Sequence, residues 1–130
     1  MYSKITLALS FALLLASYVS AHEMTPAYPK LLPSYIDGVY VANMKLYNRR
    51  SDVEFYKIEV FTNDWKSIPF ASTTKVINLK YKRSKLFSVY VRAADMKDVV
   101  YICTESKVFK AVDQVTLVSS RICSKIKQEQ

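Results

Sequence analysis

Hydrophobic and polar residues alternate with a period of two along most of the chain after residue 39. In the segment 40–47, Tyr40, Ala42, Met44 and Leu46 share one face, and the polar run 48–52 follows as a turn. Alternation of this kind predicts a strand with one buried face. Further predicted strands have the same period or are rich in β-branched and aromatic residues, and they lie at 53–61, 76–81, 87–92, 99–104 and 115–126.

About seven short strands at intervals near ten residues, separated by polar turns, predict an all-β fold of the β-sandwich type. A small closed barrel is the alternative, but its bends need more glycine than Gly38, the only one in the chain. Pro69 excludes a central strand at 65–74, so we expect a crossing segment that lays Trp65, Ile68 and Phe70 over the core. Residues 93–98 are expected to form one helical turn.

The first twenty-one residues have the pattern of a secretory signal peptide. Lys4 precedes an apolar run at 5–16, and Val19, Ser20 and Ala21 provide the small residues of a cleavage site. We therefore predict cleavage after Ala21 and a single mature domain at 22–130, with an uncleaved anchor as the alternative. Because no second apolar run follows, we expect no membrane span after cleavage and a periplasmic or secreted product.

Cys103 and Cys123 are the only cysteines. In an exported protein an isolated pair is usually a disulfide, and the spacing fits neither a redox motif nor a zinc site. A hairpin centred on Asp113 places Cys103 directly opposite Cys123, as a cross-strand disulfide requires. The same register pairs apolar residues across the hairpin, namely Val108 with Val118 and Phe109 with Leu117.

The sequence offers little for catalysis or metal binding. His22 is the only histidine, and as the first mature residue it is expected to be exposed; a copper site built on it would need a second imidazole. The remaining acids of interest lie in predicted turns or strand ends, namely Asp64, Asp95, Asp98, Glu105 and Asp113. We therefore predict a protein that is not an enzyme and that has no metal or cofactor.

Basic residues outnumber acidic ones by 19 to 11, which gives a formal net charge of +8. Tyr81 and Phe87 are interleaved with a group of cations in the segment 75–85, which we interpret as one hairpin. These cations are Lys75, Lys80, Lys82, Arg83 and Lys85. Such a patch could bind an anionic polymer, or it could simply keep an exposed strand edge soluble and unpaired.

The strand that ends at Met44-Lys45-Leu46-Tyr47-Asn48, the next strand at 53–61 and the segment 64–69 resemble the N-terminal immunoglobulin-like domain of PapD-like periplasmic pilus chaperones. The segment 85–92 resembles the following strand of that domain. The resemblance implies a seven-stranded sandwich that lends an edge strand to an incomplete partner. In one branch of the family a disulfide joins the last two strands. The chain has Lys30 where the family has an anchoring arginine, and it is half the family's length.

Two functional hypotheses follow. The first is a non-enzymatic exported module that binds another protein, such as a pilus or surface-assembly subunit, through its last strand. The residues predicted to contact the partner are Val115, Leu117, Val118 and Arg121. The second is a basic exported protein that binds DNA or a polysaccharide through the predicted Lys75–Lys85 hairpin, and steep weakening by salt would distinguish it from the first.

Overall fold

Eight β-strands form the fold of residues 21–107 and 119–127, which are the residues that the computed structural model describes. The strands are β1 (Glu23–Thr25), β2 (Leu32–Pro33), β3 (Val39–Tyr47), β4 (Phe55–Phe61), β5 (Val76–Asn78), β6 (Ser84–Arg92), β7 (Tyr101–Lys107) and β8 (Arg121–Lys125). The predicted helical turn is a 3₁₀ turn at Met96–Asp98. The prediction of an all-β chain is confirmed.

The strands divide between two antiparallel sheets. In the first sheet, β3 lies in the middle, with β6 along one edge and β1 and β2 in succession along the other. The second sheet has the order β5-β4-β7-β8. Because the strands form two separate sheets, the fold is a sandwich and the barrel alternative is wrong.

The core lies between the sheets, and the predicted faces of the long strands supply it. Alternate residues are buried over residues 42–46 of β3, 56–60 of β4 and 87–91 of β6, as a period of two requires. These buried residues are Ala42, Met44, Leu46, Tyr56, Ile58, Val60, Phe87, Val89 and Val91. The alternation therefore predicted the core-facing side of three strands correctly.

The segment that follows β4 covers the core only in part. Ile68 is buried and Phe70 packs against the core, as expected. Trp65 does not, because it lies in a turn with a φ of 61° and remains 51% exposed. The prediction for Trp65 is therefore wrong, and its ring packs outside the sandwich.

The segment 75–85 is not a hairpin, which corrects the sequence interpretation. β5 pairs with β4 in the second sheet, whereas β6 pairs with β3 in the first. The connection between them therefore crosses from one sheet to the other at one side of the sandwich. β6 also begins at Ser84, three residues before the predicted strand at 87–92.

The N-terminal part of the domain runs along the opposite side of the sandwich and contacts both sheets. β1 pairs with β3, and after the cis Thr25–Pro26 bond the carbonyls of Ala27 and Pro29 accept hydrogen bonds from the N–H groups of Lys125 and Lys127. β2 then pairs with β3 again. Pro33 fits in β2 because an edge strand needs no outward N–H.

Candidate binding surfaces

The disulfide lies where the hairpin register predicted it. Cys103 and Cys123 are bonded, with a Cα–Cα distance of 4.0 Å. They face each other directly between β7 and β8, and Glu105 faces Arg121 in the same register. The predicted pairing of the two cysteines is therefore confirmed. The other pairs proposed for this hairpin, Val108 with Val118 and Phe109 with Leu117, lie outside the described residues, as does Asp113.

β8 is the outermost strand of the second sheet. The Ser120 carbonyl accepts a hydrogen bond from the Ser106 N–H, and the Ile126 N–H donates to the Val100 carbonyl. Even-numbered residues of β8 therefore point their backbone groups toward β7. The odd-numbered residues point theirs toward the outer edge. At the end of the strand this edge is occupied, since Lys125 and Lys127 donate to Ala27 and Pro29 at 3.0 and 2.8 Å.

At Arg121 and Cys123 the outer edge of β8 has no backbone partner among the described residues. The three apolar residues predicted to bind a partner strand precede Arg121 in the sequence and fall outside the described residues (Val115, Leu117 and Val118). Arg121 is therefore the predicted partner-binding residue whose surroundings the structure describes.

The side chain of Arg121 lies over the outer face of the second sheet. Its guanidinium is 3.2 Å from a Glu59 carboxylate oxygen and 3.5 Å from one of Glu105. It also lies 5.2 Å from the centre of the Phe61 ring. Because these groups already engage the guanidinium, a contact between Arg121 and a partner strand would use its backbone.

An aromatic cluster occupies the same outer face. The exposed ring of Trp65 stacks on Tyr101 at 4.3 Å, with parallel planes, and meets Phe61 edge to face at 5.6 Å. These rings cover the β4–β7 pair beside the disulfide. The sequence placed Trp65 in the interior, so it gave no signal for this surface cluster.

His22 is buried, which corrects the expectation of an exposed terminal residue. Only 2% of it is exposed, and its Nε2 lies 2.9 Å from the Thr104 hydroxyl and 3.1 Å from the Thr104 carbonyl. Nδ1 lies 3.1 Å from the Ser120 hydroxyl, and the ring packs against Tyr56 at 4.5 Å. Burial, with a smaller contribution from the positive charge of Arg50, lowers the pKa of His22 to about 4, although the hydrogen bond with the Thr104 carbonyl opposes this shift.

Asn48 is the centre of a second buried polar group beside His22. Its amide donates to the carbonyls of Val53 and Leu79 at 2.7 and 2.8 Å. Its oxygen accepts from the Arg50 N–H at 2.8 Å and from the Tyr56 hydroxyl. Burial raises the pKa of Tyr56 to about 12. Asn48 thus joins the end of β3 to β4 and to the turn that follows β5.

The predicted basic residues are all exposed, but they do not form one cluster. Lys80 to Arg83 form a turn closed by the Arg83 N–H and the Lys80 carbonyl at 3.1 Å, and Asn48 holds this turn through two backbone bonds of 2.8 and 2.9 Å. Lys75 lies at the other end of β5 and places its ammonium over the Phe70 ring. We name the group of Lys80, Lys82, Arg83 and Lys85 the basic corner.

A cavity of about 660 Å³ opens near the end of β8. Leu31, Tyr40 and Ile126 contribute apolar side chains, and lysines contribute its positive charge. These lysines are Lys30, Lys97 and Lys127. A cavity with this lining suits a group that is partly apolar and negatively charged.

Within residues 21–107 and 119–127, no three His, Cys, Asp or Glu side chains come together as metal ligands would. The same residues contain no helix that is long and apolar enough to span a membrane. No protein-family model matches the chain, and no curated protein is significantly similar to it.

Proposed function

We propose that this chain is a non-enzymatic exported module that binds another protein by β-strand addition at β8. The observation that carries the proposal is the outer edge of β8, which has backbone partners at Lys125 and Lys127 but none among the described residues at Arg121 and Cys123. Sheet edges of this kind bind extended segments through backbone hydrogen bonds, with alternate side chains providing specificity.

The molecule itself supports this proposal, because its own N-terminal segment already lies along part of the edge. Lys125 bonds to Ala27 and Lys127 bonds to Pro29, so residue numbers rise in the same direction along both segments. The N-terminal segment and the end of β8 therefore run parallel. A partner strand would occupy the adjacent part of the edge, next to Arg121 and Cys123. The disulfide keeps β8 attached to β7 while the partner binds.

The strand order supports an immunoglobulin-like arrangement. One sheet contains β1, β3 and β6, and the facing sheet contains β4, β7 and β8. In an immunoglobulin domain, strands A, B and E lie opposite strands C, F and G in the same way. Together with the resemblance at 44–69 and the signal pattern at 1–21, this order favours a chaperone-like or surface-organelle assembly protein in the periplasm or outside the cell. Its partner would be a pilus or surface subunit.

The test is a pull-down of the mature domain from its native cell envelope, followed by mass spectrometry. We compare the wild type with the double variant V115E/L117E. The control double variant T73E/V76E makes the same charge change at exposed residues on the opposite side of the sandwich. We expect the first variant to lose its partners and the control to retain them.

Retention of every partner by a folded V115E/L117E variant would contradict strand addition at β8. Salt provides a second criterion, because strand addition rests on backbone bonds and apolar pockets and should weaken little at high ionic strength. The exposed basic corner supports the second candidate, binding of DNA or a polysaccharide, and that binding should weaken steeply with salt.

A further inference from the structure

The outer edge of β6 is the second open edge of the sandwich, on the side opposite β8. β6 pairs with β3 over its full length, and its odd-numbered residues form those hydrogen bonds, as the bonds of Arg83 with Asn48 and of Ala93 with Gly38 show. The even-numbered residues therefore point their N–H and C=O groups away from β3. Ser84, Leu86 and Ser88 have no backbone partner on that side among the described residues.

One residue of this edge is already paired, and it shows the geometry that a further strand would take. Tyr90 and Ala71 exchange two backbone hydrogen bonds of 2.9 Å each, which is an antiparallel bridge. After Ala71 the chain leaves β6, because the Lys75 carbonyl accepts a bond from Ile58 in the other sheet. A strand that continued from Ala71 along β6 would lie beside Ser84–Ser88, and no described residue pairs with the backbone there.

The side chains around this open edge indicate the chemistry of its partner. Leu86 is 76% exposed, so a single apolar side chain stands on the outer face of the edge. The four cations of the basic corner lie at the same end of β6. Glu54 is an acidic residue brought near them by a backbone bond from Leu79. The local charge is therefore strongly positive.

From these observations we infer that β6 binds an extended, acidic segment of a partner protein as an added antiparallel strand at Ser84–Ser88. Backbone bonds would form at Ser84, Leu86 and Ser88, an apolar residue of the partner would cover Leu86, and its carboxylates would meet the basic corner. A second copy of this chain is a poorer partner, because its β6 has no acidic residue to meet the basic corner and each chain has a formal net charge of +8. This surface is separate from the β8 edge and does not depend on it.

The probe is a short fluorescent peptide of alternating Glu and Val, with a Lys and Val peptide as its charge-reversed control. We expect the acidic peptide to bind the mature domain in a fluorescence-anisotropy titration and the basic one not to bind. L86P removes the outward N–H without removing a bond to β3, and it should weaken binding about tenfold or more. L86T keeps that N–H and should weaken binding less.

A second measurement leaves the protein unchanged, in case L86P does not fold. Two versions of the acidic peptide carry N-methyl groups on alternate residues, one version on the Glu positions and the other on the Val positions. An added strand uses the N–H groups of one set only, so one version should lose binding and the other should retain it. V115E/L117E should bind the peptide as the wild type does.

Several outcomes would overturn the inference. Equal binding of both N-methylated peptides, or full affinity of a folded L86P variant, would mean that the basic corner attracts acidic chains without adding a strand. Equal binding of a neutral Thr and Val peptide would remove the role of charge. Concentration-dependent dimerisation that L86P abolishes would identify a second copy of the chain as the occupant.

Discussion

His22 is a polar residue that the fold buries with hydrogen-bonding groups beside both ring nitrogens. The Thr104 carbonyl can only accept, so it favours a proton on Nε2, and the Ser120 hydroxyl can then donate to Nδ1. In this neutral state the ring loses little on leaving water. A protonated ring would carry a charge in a buried position near Arg50, which is unfavourable.

The first prediction concerns acid pH. Because the pKa of His22 is about 4 in the folded domain and about 6.5 in the unfolded chain, the unfolded chain binds more protons between these values. The contribution of neutral His22 to the free energy of unfolding is fully present above about pH 6.5, and it is lost as the pH falls toward 4. Allowing for partial solvent screening, we expect a loss of about 1 kcal/mol between pH 7 and pH 5.

Urea unfolding at the two pH values measures this loss in the wild type and in H22Q. The Gln side chain cannot titrate, so the free energy of unfolding of H22Q should change less between pH 7 and pH 5. The same pH dependence in both proteins would show that His22 is not its source. Asp52, whose pKa is lowered by its hydrogen bonds with Arg50, contributes at more acidic pH.

The second prediction concerns Asn48. N48A would leave the carbonyls of Val53 and Leu79 and the Tyr56 hydroxyl without their partner, and each unsatisfied buried group costs about 1–3 kcal/mol. Y56F removes only the hydroxyl. We therefore expect N48A to lower the free energy of unfolding by about 3 kcal/mol or more and Y56F by about 1 kcal/mol.

Chemical denaturation of both variants at pH 7 checks this order. Because the lost amide bond to the Leu79 carbonyl lies just before the turn at 80–83, N48A should in addition speed amide exchange of Lys82, which donates to the Asn48 carbonyl. Equal destabilisation by N48A and Y56F would mean that the amide bonds of Asn48 contribute nothing measurable.

At the scale of elements, the sequence predicted strands well where an independent constraint accompanied the alternation. The cysteine pair fixed the register of β7 and β8, because a disulfide requires directly facing residues. No such constraint existed for β5 and β6. A polar turn between two alternating segments is compatible with a hairpin or with a crossover between sheets, and the structure has the crossover.

Other elements had no usable pattern in the sequence. β1 and β2 have three and two residues, which is too short for a period to emerge. The burial of His22 depends on hydroxyls more than eighty residues away, so no local signal could have indicated it. At the candidate site, the outer edge of β8 was predicted, whereas the open edge of β6 required the sheet order.

The third prediction concerns the disulfide, which closes a loop across a sequence separation of 20. By the loop-entropy relation, its removal in C103A/C123A should lower the free energy of unfolding by about 3 kcal/mol. Urea unfolding of the oxidised wild type and the variant measures the difference. The reduced wild type is the matched control, since it keeps both side chains and loses only the bond.

If the reduced wild type proved as stable as the oxidised protein, the bond would not restrain the unfolded chain as proposed. If only C103A/C123A were destabilised, the loss would come from packing instead, because Cys103 is fully buried.

At the scale of the whole molecule, the N-terminal segment joins the two sheets along one side. Met24 is buried between them and pairs with Leu46 in β3, while Ala27 and Pro29 bond to the end of β8. On the other side, the segment 67–75 also contacts both sheets, because Ile68 bonds to Val60 in β4 and Ala71 bonds to Tyr90 in β6. The N-terminal segment therefore borders the proposed binding edge of β8, and the segment 67–75 borders that of β6.

The fourth prediction tests whether this segment holds the β8 edge. M24A removes a buried side chain and should lower the free energy of unfolding by about 2–4 kcal/mol. Because β1 then packs less tightly, the bonds from Lys125 to Ala27 and from Lys127 to Pro29 should open more often. Native-state hydrogen exchange should show faster exchange at these two amides.

The amide of Tyr90, which bonds to Ala71 on the opposite side, is the internal control. Its exchange should increase less than that of Lys125 and Lys127, because the loosening is local to the N-terminal segment. An equal increase at all three amides would indicate that the segment opens only with global unfolding, and it would then not control access to β8. A selective increase would mean that the packing of Met24 limits how far along β8 a partner strand can extend.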